Sequence, residues 1–549
     1  MARERERGDG LSAMKFLTAA EMKRTDDATV DTYSGNFAVL MENAGAAVAR
    51  FVRLEWPEAK RVVAICGKGN NGGDGMVAAR LLRKAGCEVS VMLLAESARL
   101  KGEPAKNLAR FQAPVHCILS PSQLVEVDRV LAEADVILDA VYGTGFRPPL
   151  DALTDAVRQR VHGLAAKVVA VDLPSGWDAD SRQADAVAFR ADAVVTFTAP
   201  KIAHAFGDMT GGPMVVAGIG SPEEAIVSAS RLSWTGASTA KFEVPRSRQN
   251  NKGNFGHVLV VGGARGKAGA PSMSSLASMR VGAGLTTAAV AGSILPTVAR
   301  IAPELMTAEL QETSEGALSA ANSTSTEWKA LLVKKAVLAM GPGLGEGEET
   351  KQFIHSVVAN REIPLVLDAD GLNAFAGQTG KLNGSKVPLV LTPHPGEMAR
   401  LLGSTVKEVE ADRENIARKF ATEHELILVL KGWRTLVAHP DGRVAVNLTG
   451  NPGMAKGGSG DVLTGLVAGM LAQAKAYGAT DGEAAEAAVY LHGLSADMAV
   501  AAGDEHCFLP TDLLAWLPHA FRFKNNGDGD FSWLRGFSAA AMEVTRWRE

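Results

Sequence analysis

The chain is short of several things, and each shortage closes off a class of protein. Only four cysteines occur in 549 residues: Cys66, Cys87, Cys117 and Cys507. They form no Cys-x-x-Cys pair and no Cys/His group with zinc spacing, which excludes a disulfide scaffold and argues against a zinc site. Neither charge sign dominates, since 57 Lys and Arg stand against 61 Asp and Glu. Without a basic excess there is no electrostatic footprint for nucleic acid. No apolar run approaches the ~18 residues of a membrane span. The first residues, Met1-Ala-Arg-Glu-Arg-Glu-Arg-Gly8, mix both charge signs and have no apolar centre, so they do not read as a secretory signal. With 46% hydrophobic and 21% charged residues the chain can bury a large core, which excludes disorder. A cytoplasmic protein without membrane or nucleic-acid partners is expected. Its polar extension covers 1–13, and Met14 is an alternative start.

Glycine is in excess, 57 residues or about one in ten against a usual ~7%. The glycines are clustered, which suggests local roles. Length alone allows about three or four domains. Short runs that are apolar throughout, at 61–66, 88–94, 136–141, 167–172, 193–198 and 214–217, alternate with helical spacing such as 76–84. Such runs suit strands of a parallel sheet covered on both faces. The segment 221–239 reads as helix-like, and 246–252 as a polar loop. The pattern then restarts at 257–261, 336–340, 365–368, 387–391 and 426–430. The reading is α/β throughout, with domains over 14–225 and 245–520, a linker over 226–244 and a tail over 521–549 whose role the sequence leaves open.

Gly67-Lys-Gly-Asn-Asn-Gly-Gly-Asp-Gly75 follows a strand and precedes a helix. Glycines there let a backbone approach phosphate, and a helix N-terminus offers free N–H groups. It is neither the dinucleotide fingerprint nor a Walker loop, and a plain glycine turn capped by Asp74 is the bland alternative. Asp139-Ala-Val-Tyr-Gly-Thr-Gly145 and Asp172-Leu-Pro-Ser-Gly176 mark two more strand ends that converge on one crevice. Asn71, Asp139 and Ser175 offer oxygen ligands suited to a hard cation.

With Thr196-Phe-Thr-Ala-Pro-Lys201, these motifs resemble the NAD(P)H-hydrate epimerase family over about 14–225. The resemblance implies a Rossmann-like fold. It implies substrate contacts at Asn70, Asn71, Gly72, Gly73, Asp74, Gly143, Thr144, Gly145, Phe146, Arg147, Pro148, Pro149 and Asp172. It also implies potassium at Asn71, Asp139 and Ser175. Epimerisation at a hemiaminal-type carbon needs proton transfer, and Asp172 is a candidate acid/base or, equally, a substrate anchor.

Asn451-Pro-Gly-Met-Ala-Lys-Gly-Gly-Ser-Gly-Asp461-Val-Leu-Thr-Gly465 is the strongest signal. Its glycines lead into a helix expected to begin near Asp461. Amides at that terminus form an anion hole for a transferring phosphoryl group, and a carboxylate at the rim can take a proton from the attacking hydroxyl. The pattern resembles the ribokinase-like superfamily. Four companions narrow it: Gly341-Pro-Gly-Leu-Gly345, Asp368-Ala-Asp-Gly-Leu372, Leu391-Thr-Pro-His-Pro-Gly-Glu397 and Lys431-Gly432. With Lys252-Gly-Asn-Phe-Gly-His-Val-Leu-Val-Val-Gly-Gly263 they look like the NAD(P)H-hydrate dehydratase family over about 245–520.

That resemblance implies hydrate contacts at Ala270, Gly343, His394 and Asp461, with Asp461 as base. It implies contacts to the adenine nucleotide at Lys431, Gly432, Trp433, Arg434, Thr435, Gly457, Gly458, Ser459 and Gly460. Mg²⁺ would bridge the diphosphate, and the fusion favours ADP over ATP as donor. Pro271 and the Gly-Trp-Arg after Lys431 depart from the family pattern.

The implied whole is a two-activity repair enzyme for hydrated NADH and NADPH, an isomerase joined to a lyase, with a homo-oligomer expected. The alternative is a small-molecule kinase for a vitamin precursor, joined to a non-catalytic nucleotide-binding module.

Overall fold

The computed structural model describes residues 14–32, 35–523, 525 and 530–538; the polar extension 1–13 and the tail beyond 538 lie outside the described residues. The chain forms two compact units. One holds residues 14–231 together with the described residues from 525 on, and the other holds 232–523.

The first unit is built on seven strands: β1 (Arg61–Cys66), β2 (Glu88–Leu93), β3 (Val115–Cys117), β4 (Val136–Ala140), β5 (Lys167–Val171), β6 (Ala193–Phe197) and β7 (Met214–Ala217). They are parallel, in the order β7-β6-β5-β4-β1-β2-β3. Both faces are covered. Val63 and Ile65 pack in one apolar cluster with Val157 and Val161 of helix Ala152–His162. On the other face, Cys66 and Ala140 press against Gly75 of helix Asn70–Lys84. Two-sided burial explains the uninterrupted apolar runs. Strand order reverses between β1 and β4, so the loops leaving these two strands diverge and open a crevice at their carboxyl ends.

An eighth strand comes from the tail. Ser532–Arg535 pairs antiparallel with β7 and closes that edge of the sheet. Phe531 and Trp533 bring their rings to 5.7 and 6.2 Å from Phe51, and Arg535 Nη1 donates to the Thr210 carbonyl at 2.6 Å. Covering an edge strand removes a row of unpaired backbone groups.

The second unit is a ten-stranded sheet of β8 (Leu232–Trp234), β9 (His257–Val261), β10 (Leu285–Ala291), β11 (Met306–Leu310), β12 (Val337–Met340), β13 (Leu365–Leu367), β14 (Leu389–Leu391), β15 (Ile427–Leu430), β16 (Leu436–Ala438) and β17 (Val444–Val446). The order is β11-β10-β9-β12-β13-β14-β15-β16-β17-β8. It is parallel from β11 to β15, and β16 turns back antiparallel on both neighbours. Helix Ser459–Ala474 is buried from Val462 onward and packs on helix Gly269–Arg280.

Two expectations are corrected. The linker over 226–244 fails from Leu232, because β8 pairs in parallel with β17 and its Trp234 is fully buried against Tyr490. The helix expected over 221–239 is absent too. That stretch holds short 3-10 turns and β8, since Pro222, Gly236 and a run of Ser and Thr interrupt helical hydrogen bonding.

Candidate active sites

In the first unit the helix after β1 starts at Asn70, with Gly69 as its cap and no side-chain capping bond. Asp74 therefore lies inside the first turns and is not the cap. Asn70 is exposed, Asn71 is half-buried with its Nδ2 unpaired, and Gly72 and Gly73 are buried. Asp172 follows β5 with φ +69 and is buried. Its Oδ1 accepts from Thr196 Oγ1 at 2.8 Å and Lys201 Nζ at 2.6 Å. Its Oδ2 accepts from Thr144 N at 2.9 Å and Thr144 Oγ1 at 2.6 Å. Burial pushes this carboxyl up, but Lys201 and the hydroxyls outweigh it and hold it well below the usual carboxylate range.

His204 locks the arrangement from behind. Its Nδ1 accepts from Lys201 N at 2.9 Å, so Nε2 carries the proton and donates to the Asp172 carbonyl at 2.9 Å. Burial, followed by the Lys201 charge, lowers this histidine to about 4, so it is neutral at ordinary pH. Asp74 and Asp26 complete the group. Burial raises Asp74 well above the usual range, with Asp172 and Asp26 adding to it, and burial lifts Asp26 to about 6.

Asp139, at the end of β4, is fully buried. Its oxygens accept from Ser175 N at 2.7 Å and Ser175 Oγ at 2.6 Å, and Ser175 Oγ accepts from Tyr142 N at 2.8 Å. Burial pushes Asp139 up to about 6. A methyl on Gly143 would lie 3.0 Å from both Asn71 Oδ1 and Asp172 Oδ2, so Asn71 and Asp172 border one space. Beyond Thr144 the loop turns away: Gly145 is exposed, Phe146 stacks on Tyr142, Arg147 pairs with Asp178 and Asp180, and Pro148 and Pro149 are exposed.

In the second unit the glycine loop opens helix Ser459–Ala474, two residues before Asp461. Its cap, Gly458, has φ +103, a conformation that L side chains rarely adopt. Gly457 is exposed, and Ser459 Oγ is turned back onto the Met454 carbonyl. Lys431, at the end of β15, donates from Nζ to Asp368 Oδ1 at 2.8 Å and stands 3.6 Å from Glu397. The same Nζ would lie 3.2 Å from a methyl on Gly460. Asp368, 1% exposed, accepts from Thr464 Oγ1 at 2.7 Å. Burial lowers Lys431, but Asp368 and Glu397 outweigh it and hold it above its ordinary value. Burial, then Asp368, pushes Asp461 up to about 6 against the pull of Lys431.

His394 caps helix Pro395–Leu402, its Nδ1 accepting from Gly396 N and Glu397 N, which leaves the proton on Nε2, 3.5 Å from Glu397 Oε1. Ala270 and Gly343 meet, since a methyl on Gly343 would lie 3.2 Å from Ala270 Cβ. Asp370 ties that corner to Gly345 N at 2.7 Å and Lys267 Nζ at 3.4 Å. Thr435 Oγ1 donates to the Gly432 carbonyl, Arg434 is buried, and Trp433 is 52% exposed.

Comparison with known proteins finds a match in each unit. A family model described as NAD(P)H-hydrate dehydratase matches residues 258–519, and a model of the YjeF-related protein N-terminus matches 37–203. A bifunctional NAD(P)H-hydrate repair enzyme from Moorella thermoacetica is 40% identical over 93% of this chain and 97% of its own. One from Thermofilum pendens is 37% identical over 93% and 96%. The chain belongs to the bifunctional NAD(P)H-hydrate repair enzyme family. An ADP/ATP-dependent NAD(P)H-hydrate dehydratase from Bacillus subtilis, crystallised with ATP and Mg²⁺, is 31% identical with a TM-score of 0.46, covering 52% of this chain and 96% of that one.

In this repair-enzyme chain, sequence reasoning missed Thr196, Lys201 and His204 as individual residues, although the first two sit in the quoted TFTAPK motif. It also missed Asp26, which lies on helix Ala19–Asp31 with no motif around it, and Glu397, whose place in TPHPGE was noted without a role. A basic residue soon after a strand of otherwise apolar character was the available signal for Lys201.

Proposed function

We propose that the first unit interconverts the R and S forms of hydrated NADH and NADPH, and that the second dehydrates the S form with ADP as phosphoryl donor. The observation that carries the reading is the second site: a carboxyl on the first turn of a helix opened by glycines, with a lysine ammonium against the same loop. Hydroxide leaves poorly at neutral pH, so the hydrate's hydroxyl must first be made a leaving group. Asp461 accepts the hydroxyl proton as the oxygen attacks the β-phosphorus of ADP, and the bond to the AMP oxygen breaks. The amides at Gly457–Gly460 and the Lys431 ammonium stabilise the transferring charge. Phosphate then departs with its bonding pair, driven by the ring-nitrogen lone pair. The neighbouring carbon releases a proton, restoring the dihydronicotinamide.

Among the described residues no three His, Cys, Asp or Glu side chains are grouped to hold a metal ion. Mg²⁺ would be carried by the diphosphate, where it would supply charge neutralisation. In the first unit, Asp139 is a buried carboxyl with no ion pair among the described residues, and with Asn71 and Ser175 it offers the oxygen donors a potassium ion takes. Asp172 already receives four hydrogen bonds, which suits anchoring the substrate. Asp74, in the same group and raised by burial, suits proton transfer. Four unpaired cysteines fit a reducing cytoplasm.

The test is one assay. Both hydrate epimers are mixed with the protein, Mg²⁺, K⁺ and either ADP or ATP, and reduced nicotinamide is followed by absorbance. Conversion of both epimers with AMP formation supports two activities, and conversion of half leaves the first unit inert. A stable phosphorylated small molecule in place of reduced nicotinamide returns the kinase alternative. Asp461→Asn is expected to cut dehydration by about 10²–10⁴-fold with ADP still bound, and unchanged turnover removes it as the base.

A further inference from the structure

Thr464 is fully buried on helix Ser459–Ala474, in a stretch that is otherwise apolar from Val462 to Ala472. It follows Asp461 by three residues, so the two side chains leave the helix on one face. Its hydroxyl has one proton and two acceptors in reach. The Gly460 carbonyl, one turn back, lies at 3.1 Å, and Asp368 Oδ2 lies at 2.7 Å. The shorter bond thus leaves the helix for the sheet. Asp368 directly follows β13, and its other oxygen, Oδ1, takes the Lys431 ammonium at 2.8 Å. One buried carboxylate therefore joins the helix of Asp461 to the strand end of Lys431, with one oxygen for each. Among the described residues Thr464 supplies the one hydrogen bond to Oδ2, and the Asp461 carboxyl receives none of its own. A methyl built on Gly460 would lie 3.2 Å from Lys431 Nζ and 3.7 Å from Asp368 Oδ2, so both groups border the glycine loop.

We propose that Thr464 is a positioning residue for phosphoryl transfer: its hydroxyl occupies Asp368 Oδ2, so the Lys431 ammonium is held by Oδ1 alone and stays beside the glycine loop. The role rests on the dehydration chemistry above. Without the hydroxyl, Oδ2 is a bare anionic oxygen in a buried place, which is costly. The ammonium already on Oδ1 is then drawn across both oxygens. Less of its charge faces the transferring phosphoryl group, and more of the Asp368 charge reaches Asp461. The groups that face Asp461 are Asp368 and Asp370 after β13, Lys431 after β15 and Glu397 on helix Pro395–Leu402, with Lys267 lying 3.4 Å from Asp370. Weakening the one direct cation and baring an anion both favour the protonated form of Asp461. A base that protonates more readily loses its rate at a higher pH.

Single-turnover dehydration of the S epimer by the full chain, with saturating Mg²⁺ and ADP and measured against pH, tests this. Thr464→Val keeps the shape and removes the hydroxyl. It is expected to lower the plateau rate about 10-fold, to change ADP affinity less than the rate, and to move the acid limb up by about half a unit to one unit. Thr464→Ala, which relieves the packing, is expected to move the limb in the same direction. Thr464→Ser keeps the hydroxyl and is expected to return plateau and limb to near wild type. A limb that neither Thr464→Val nor Thr464→Ala moves overturns the role and leaves the dehydration reading standing, because loosened packing lowers a rate without retitrating Asp461. A Thr464→Ser variant as impaired as Thr464→Val overturns it too, since the methyl rather than the hydroxyl is then what matters. If the wild type itself shows no acid limb, the role falls together with the reading it rests on.

Discussion

Asp172 and Asp461 are both carboxyls at the mouth of a sheet, and their surroundings push them in opposite directions. Asp172 has a dedicated ammonium and two hydroxyls, and it stays ionised. Asp461 shares Lys431 with Asp368 and Glu397 and feels Asp370 too, so burial and like charge prevail and it sits at about 6. A base must be ionised to accept a proton, and a raised pKa places that transition inside the working range. The single-turnover dehydration rate is therefore expected to be level above about pH 7 and to fall about tenfold per unit below pH 6. Lys431, held above its ordinary value, contributes no limb near neutrality. A rate that stays flat from about pH 7 to 5 would count against Asp461 as the base.

Helix Ser459–Ala474 brings Asp461 to its place only because it can approach helix Gly269–Arg280 closely. A methyl on Gly465 would lie 2.1 Å from the Ser274 carbonyl oxygen, and Ser274 Oγ donates to the Asp461 carbonyl at 2.8 Å. Gly465→Ala is thus expected to force the helices apart, costing about 1–3 kcal/mol and lowering kcat for dehydration more than it weakens ADP binding. Thermal melting and a kcat-against-KM comparison check both parts.

Legibility at this scale follows residue type. β1, β4, β9 and β15 were plain because each carries a run of Val, Ile or Leu with little polar interruption. β10 was missed because it reads Leu-Thr-Thr-Ala-Ala-Val-Ala, with few large apolar residues, and β8 because Leu-Ser-Trp lies in a Ser- and Thr-rich stretch that reads as helix-like. The glycine loops were legible since their chemistry is local. The Lys201–Asp172 pair was not, because its members lie 29 residues apart and meet only once β6 lies beside β5.

For the whole molecule, the strand Ser532–Arg535 was beyond sequence reasoning, since nothing local says which sheet a short tail segment will join. It buries Phe531, Trp533 and Leu534, each worth about 1.5–3 kcal/mol as an upper figure. A chain ended after Phe523 is expected to lower the melting of the first unit by about 10 °C and to diminish epimerisation, while dehydration of the S epimer continues. Calorimetry with each epimer assayed separately measures this, and an unchanged first transition would show that the strand contributes little.

Because that strand pairs with β7, the second unit is an insertion within the first as the ribosome sees it. After β7 is made, more than three hundred further residues must be synthesised before its partner exists, about 15 to 60 seconds at ordinary elongation rates. For that interval the nascent epimerase sheet has an unpaired margin. The completeness of one active unit is therefore timed by the synthesis of the other.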